Sequence, residues 1–98
     1  MSWWQMNKRE KKKAIKADEI VIRRIVNEWN PIGVPVPEDE YDCLVQKVIS
    51  KLYLGSSEKE IQIFIANEMK DHFGIKTKKA EIKKVTQDIW KFWMSKKG

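Results

Sequence analysis

A chain of 98 residues with 42% hydrophobic residues, four glycines and three prolines has enough apolar mass for one packed domain and a composition unlike that of disordered chains. Its net charge of +6 conceals a segregated pattern: residues 1–17 carry six Lys/Arg against one acid, residues 18–75 six against eleven, and residues 76–98 eight against two. The single cysteine, Cys43, excludes an internal disulfide and points to a reducing, cytoplasmic compartment, and without a secretory apolar segment or a long apolar run neither export nor membrane spanning is expected.

The chain opens on a short aromatic stretch containing Trp3 and Trp4. Strong helix formers follow from Lys8, with Asn7 as one N-cap and Asp18 as a second candidate start. Ile22, Ile25, Val26 and Trp29 then recur at helical spacing, with Ile15 and Val21 extending the stripe, while Arg23, Arg24 and Glu28 take the other face. The periodicity predicts a first helix over 18–29, with 1–17 as its basic, aromatic-tipped extension and 18–98 as the helical domain.

All three prolines fall in one connector, Asn30-Pro31-Ile32-Gly33-Val34-Pro35-Val36-Pro37. Pro31 lacks a backbone donor and drives Asn30 away from helical angles, so the first helix stops near Trp29. Val34 to Pro37 is stiff and extended, because the rings set φ at alternate residues. Ile32, Val34 and Val36 predict that at least one of them packs under the neighbouring helices.

The second helix is expected over 38–54, with Glu38, Asp39 and Glu40 at the positive end of its dipole. Tyr41, Leu44, Val45, Val48, Ile49 and Leu52 supply the most regular apolar stripe, and Gly55 ends it. Ser57-Glu58-Lys59-Glu60 reads as a capping box opening a third helix over 58–73, with Ile61, Phe64, Ile65 and Met69 inward, Ile63 to one side and Gly74 as the stop. Thr77 is the expected cap of a fourth helix over 78–95, with Ile82, Val85, Ile89, Phe92 and Trp93 on one face and Trp90 off it. No segment alternates with period two. The expected fold class is all-α: a single small four-helix domain with a rigid, proline-rich connector between helices 1 and 2.

The stretch Glu28-Trp29-Asn30-Pro31-Ile32-Gly33-Val34, with Asp39-Glu40-Tyr41-Asp42 and then Gly55-Ser56-Ser57-Glu58-Lys59-Glu60-Ile61, resembles a family of small uncharacterised bacterial proteins, over residues 19–75, roughly half of the chain. The resemblance implies an all-helical fold and a bacterial or mobile-element origin, near toxin or contact-inhibition systems, and carries no catalytic residue. Asn30 stands where the relatives often have Asp, so that position does not require a carboxylate.

Catalysis is not expected. One His and one Cys leave a Cys–His pair dependent on His72 meeting Cys43, no glycine-rich phosphate loop or nucleophile elbow is present, and zinc ligands are lacking; no cofactor or metal is implied. The leading expectation is a non-enzymatic protein-binding module, regulatory or immunity-like, whose contact residues are Glu28, Trp29, Glu38, Asp39, Glu40 and Asp42. The plainer account of these acids is dipole stabilisation of a solvated helix start, and their spacing is not that of a calcium loop. The alternative is nucleic-acid binding through Lys8, Arg9, Lys11, Lys12, Lys13 and Lys16 at one end and Lys78, Lys79, Lys83 and Lys84 at the other, with nearby tryptophans to stack bases. A second alternative is peripheral membrane contact by Trp3, Trp4 and the lysines after them. A second copy of the chain is also an admissible partner.

Overall fold

A computed structural model describes residues 8–37 and 39–97. Trp3, Trp4, Asn7 and Glu38, and the side chain of Lys8, lie outside the described residues. The described residues form four helices and no strand: α1 (Lys8–Trp29), α2 (Asp42–Tyr53), α3 (Glu58–Asp71) and α4 (Lys79–Lys97). They close in a ring in which α1 packs on α2, α2 on α3, α3 on α4 and α4 on α1. The fold class is therefore the all-α four-helix domain that the four apolar stripes predict.

The core is built from those stripes. Ile22 and Val26 from α1, Leu44, Val45, Val48, Ile49 and Leu52 from α2, Ile61, Ile65 and Met69 from α3, and Ile82, Val85, Ile89 and Trp93 from α4 are all buried. Each fully buried aliphatic side chain of this size stabilises the fold by about 1.5–3 kcal/mol relative to exposure. Trp90, off the predicted stripe, nevertheless packs partly buried against this core, as do Phe64, Phe73 and Phe92.

The helix ends differ from expectation in three places. Asp18 does not start a helix. It is buried inside the unbroken twenty-two-residue α1. The start of α2 lies at Asp42, because Glu40 N–H donates to Pro37 C=O and Asp42 N–H to Asp39 C=O, both at 3.1 Å, making tight turns before the helix proper. Asp39 and Glu40 thus precede the helix, and Asp42 is the acid in its first turn. Thr77 is not the cap of α4. The cap comes from within the helix, where the Glu81 carboxylate accepts the Lys78 N–H at 3.0 Å.

Both helix ends at the α2–α3 junction form as the residues dictate. Ser56 N–H donates to Lys51 C=O and Gly55 N–H to Leu52 C=O, with Gly55 at φ +90°, which is the paired Schellman pattern that only glycine enters freely. Ser57 and Glu60 then close the capping box: Ser57 Oγ accepts the Glu60 N–H at 3.2 Å and the Glu60 carboxylate accepts the Ser57 N–H at 3.0 Å. The Ser57 N–H first, and the Ser57 hydroxyl second, hold the Glu60 carboxyl below the usual carboxylate range.

Buried Asp18 joins three helices. Its carboxylate accepts from the Tyr53 hydroxyl on α2 and from Lys96 Nζ on α4, the latter at 2.5 Å. The Lys96 ammonium also lies 4.8 Å from the Trp93 ring centroid, and Tyr53 meets Trp93 edge-on at 5.1 Å. Removing the carboxylate deprives the Tyr53 hydroxyl of its buried acceptor and Lys96 of its counter-charge. Asp18→Ala is expected to lower unfolding free energy by about 2–3 kcal/mol, and an unchanged urea midpoint would refute that role. Burial first, and the bond to Asp18 second, push the Tyr53 phenol above the ordinary tyrosine range. The unfolded chain ionises this phenol near pH 10 while the folded chain retains the proton. This contribution is complete below that pH and is lost as pH rises past it, so Tyr53→Phe is expected to flatten the alkaline limb of a stability–pH curve.

Candidate functional site

The connector between α1 and α2 is held by one side chain. Tyr41, the residue before α2, is 1% exposed. Its hydroxyl donates to Asn30 Oδ1 at 2.7 Å and accepts the Ile32 N–H at 3.1 Å. Asn30 also donates from Nδ2 to Val34 C=O at 3.1 Å. The chain leaves α1 by placing Asn30 at φ +44°, in the left-handed region that asparagine tolerates better than most residues, and Gly33 follows at φ +81°. An aspartate at position 30 would accept from Tyr41 but could not donate to Val34 C=O. The Tyr41 ring packs on Phe73 at 5.7 Å, so the far end of α3 braces the same residue.

Held this way, the connector is two-sided. Ile32 and Val36 pack partly buried against the core. Val34 is 55% exposed, and Pro35, Pro37, Asp39 and Glu40 are exposed with it.

Five of the six residues expected to bind a partner, Glu28, Trp29, Asp39, Glu40 and Asp42, are among the described residues. Asp42 is spent inside the fold: Arg23 of α1 grips it from Nε at 2.8 Å and from Nη2 at 3.2 Å, and the same Nη2 reaches Glu19 at 2.6 Å. This half-buried fork ties α1 to α2, and the Asp42 side chain remains 35% exposed beside it. Asp39 and Glu40 stay exposed on the turn before α2. Glu28, also exposed, lies with half-buried Trp29 in a groove of about 640 Å³ between α1 and α4, whose far wall includes Ala80, Glu81, Lys84, Val85 and Asp88. Trp29 Nε1 is buried there and has no hydrogen-bond acceptor among the described residues. Sequence reasoning missed Arg23 and Asn30. Arg23 reads as one more polar residue on the outer face of a helix; the signal for Asn30 was present in its place between a helix end and a proline.

The basic residues form two separate patches. Asp18, in the first half of α1, meets Lys96 near the end of α4, whereas Ile25 to Trp29 share a groove with Ala80 to Asp88, so the two helices run antiparallel. Arg9, Lys12, Lys13 and Lys16, all exposed, and half-buried Lys11 therefore lie at one end of the molecule. Lys78, Lys79, Lys83 and Lys84 lie at the other, roughly 25 Å away along α4. Lys84 is paired with Asp88 at 3.1 Å. His72 and Cys43 are both exposed, and among the described residues no cluster of His, Cys, Asp or Glu is placed to hold a metal ion. No helix there is long and apolar enough to cross a membrane.

No protein-family model, curated protein or solved structure matches this chain.

The hydroxyl of Tyr41 is the part of this arrangement most easily tested. Tyr41→Phe keeps the ring against Phe73 and deletes both hydroxyl bonds, with an expected cost of about 1–2 kcal/mol. Amide exchange at Ile32 should accelerate while that of Val45 and Val48, deep in α2, tracks only the global change. Unaltered protection at Ile32 would show that the ring alone fixes the connector.

Proposed function

We propose that this chain is a non-enzymatic protein-binding module, regulatory or immunity-like, that presents the connector to its partner. The observation that carries this reading is the Tyr41–Asn30–Ile32 clamp. It holds an exposed, apolar, acid-flanked loop in a single shape, and a loop ordered before binding loses little conformational entropy when a partner arrives. Val34, Pro35, Asp39 and Glu40 form the centre of the contact, with Glu28 and Trp29 at its edge and Asp42 serving as an internal strut. A basic or polar-and-apolar surface is the complement such a loop fits. The lone, exposed Cys43 supports a reducing, cytoplasmic setting; a bacterial setting rests on the family resemblance of the connector and its flanks.

Nucleic-acid binding is the second reading, supported by the exposed cations Arg9, Lys12, Lys13 and Lys16 on the first turns of α1. It is the weaker one, because the other basic patch lies at the opposite end of α4 and one of its members is paired with Asp88.

Affinity capture separates the two. Val34→Ser with Asp39→Asn and Glu40→Gln is expected to reduce recovery of the partner by about tenfold or more, while Lys12→Gln with Lys13→Gln leaves it unchanged. Equal recovery by the connector variant and the unaltered protein would dismiss the connector. Retardation of a duplex at about 50 mM salt, collapsing steeply as salt rises, would favour the second reading.

A further inference from the structure

A second groove, of about 570 Å³, lies between α3 and the start of α4, on a different side of α4 from the Trp29 groove. Its floor is apolar. Ile63 and Ala66 come from α3, Ile75 from the loop and Ile82 from α4. Ile63 stands 52% exposed in mid-helix, although a helix of this composition has three buried positions of its own in Ile61, Ile65 and Met69. Loop residue Ile75 is anchored where its N–H donates to Met69 C=O at 2.8 Å, so the wall it forms is fixed to the end of α3.

The charged residues lining this groove are Lys70, Lys76 and Lys79, and no carboxylate lines it. None of the three lysines makes an ion pair among the described residues. Three nearby acids are held elsewhere. Glu68 turns to Lys47 on α2 at 3.4 Å, Glu81 caps the Lys78 N–H, and Asp88 pairs with Lys84. Along α4, Lys79 lies on the α3 side, and Glu81 and Asp88 lie on the α1 side together with Lys84, with which Asp88 pairs.

We propose that this α3–α4 groove is a docking site for an acidic amphipathic segment of a partner protein, separate from the connector surface. Apolar side chains of that segment would cover Ile63, Ala66 and Ile75, and its carboxylates would meet Lys70, Lys76 and Lys79. Charge complementarity selects the occupant. A phosphate backbone would satisfy the lysines and leave the apolar floor wet, and a bilayer surface is flat on the scale of a trough between two helices.

The test uses the whole chain, isotope-labelled for NMR, and two synthetic peptides of about five helical turns. One carries leucines along a single face and glutamates elsewhere; its twin has every glutamate replaced by lysine. The acidic peptide is expected to shift the amides of Ile63, Ala66 and Ile75 saturably, with Kd below about 1 mM, and the lysine twin to leave them in place. Lys70→Glu with Lys76→Glu and Lys79→Glu, all at exposed positions, should weaken the acidic peptide by about tenfold or more and admit its twin. Ile63→Asp, which keeps the lysines, should abolish binding through the apolar floor. Absence of shifts at about 1 mM peptide overturns the proposal. So do equal responses to both peptides, equal shifts with an oligonucleotide, or shifts that grow with protein concentration alone, the mark of a second copy in the groove.

Discussion

The Tyr41 hydroxyl, donating to Asn30 and accepting from the Ile32 amide, sets the shape of the path from α1 to α2. Proline stiffness makes that path straight, but stiffness alone gives no direction. The direction comes from a buried phenol that must satisfy its O–H and finds both partners on the connector itself. Once Asn30 is held there, α1 ends at Trp29, Ile32 and Val36 turn inward, and Val34 is left facing outward. The exposed loop is therefore a product of a buried hydrogen bond, and its shape has the rigidity of the core behind Tyr41.

A similar division of labour governs the charges. Pairs in water, such as Lys84–Asp88 with side chains 76% and 40% exposed, contribute on the order of 0.5 kcal/mol or less. The pairs that matter are those at helix crossings. Asp18 brings Tyr53 and Lys96 together from two other helices, and Arg23 locks Asp42 at the start of α2. Each consumes an acid from the middle of the chain. What remains outside is a set of carboxylates around the connector and the α1–α4 groove, and a set of lysines around the α3–α4 groove. The two sides of α4 thus differ in charge, mixed toward α1, where Lys84 sits among the carboxylates, and purely basic along the α3–α4 groove.

The fold was largely legible in the residues because helical periodicity is a local property. Ile22, Leu44, Val48, Ile65, Ile89 and their neighbours announce which face of each helix is dry, and Gly55 with Ser57 and Glu60 announces the α2–α3 junction through bonds spanning at most five residues. The site was less legible. Glu38, Asp39, Glu40 and Asp42 look alike in the chain, yet Asp42 is gripped by Arg23 while Asp39 and Glu40 stay exposed. The difference is made by Arg23, nineteen residues earlier. Lys8 to Lys16 and Lys78 to Lys84 likewise look like two halves of one basic surface until the antiparallel run of α1 and α4 places them at opposite ends.

Sequence alone determined the helical class, the four apolar stripes, the break at Asn30-Pro31 and the cap at Ser57, all of which depend on contacts within a few residues. Tertiary structure alone decided that Asp18 is a buried hub instead of a helix start, that Arg23 takes Asp42, and that α3 and α4 leave a lysine-rimmed trough between them. Those outcomes depend on which side chains from distant helices arrive at the same point, and a buried carboxylate or phenol takes whatever partner packing brings within hydrogen-bond reach.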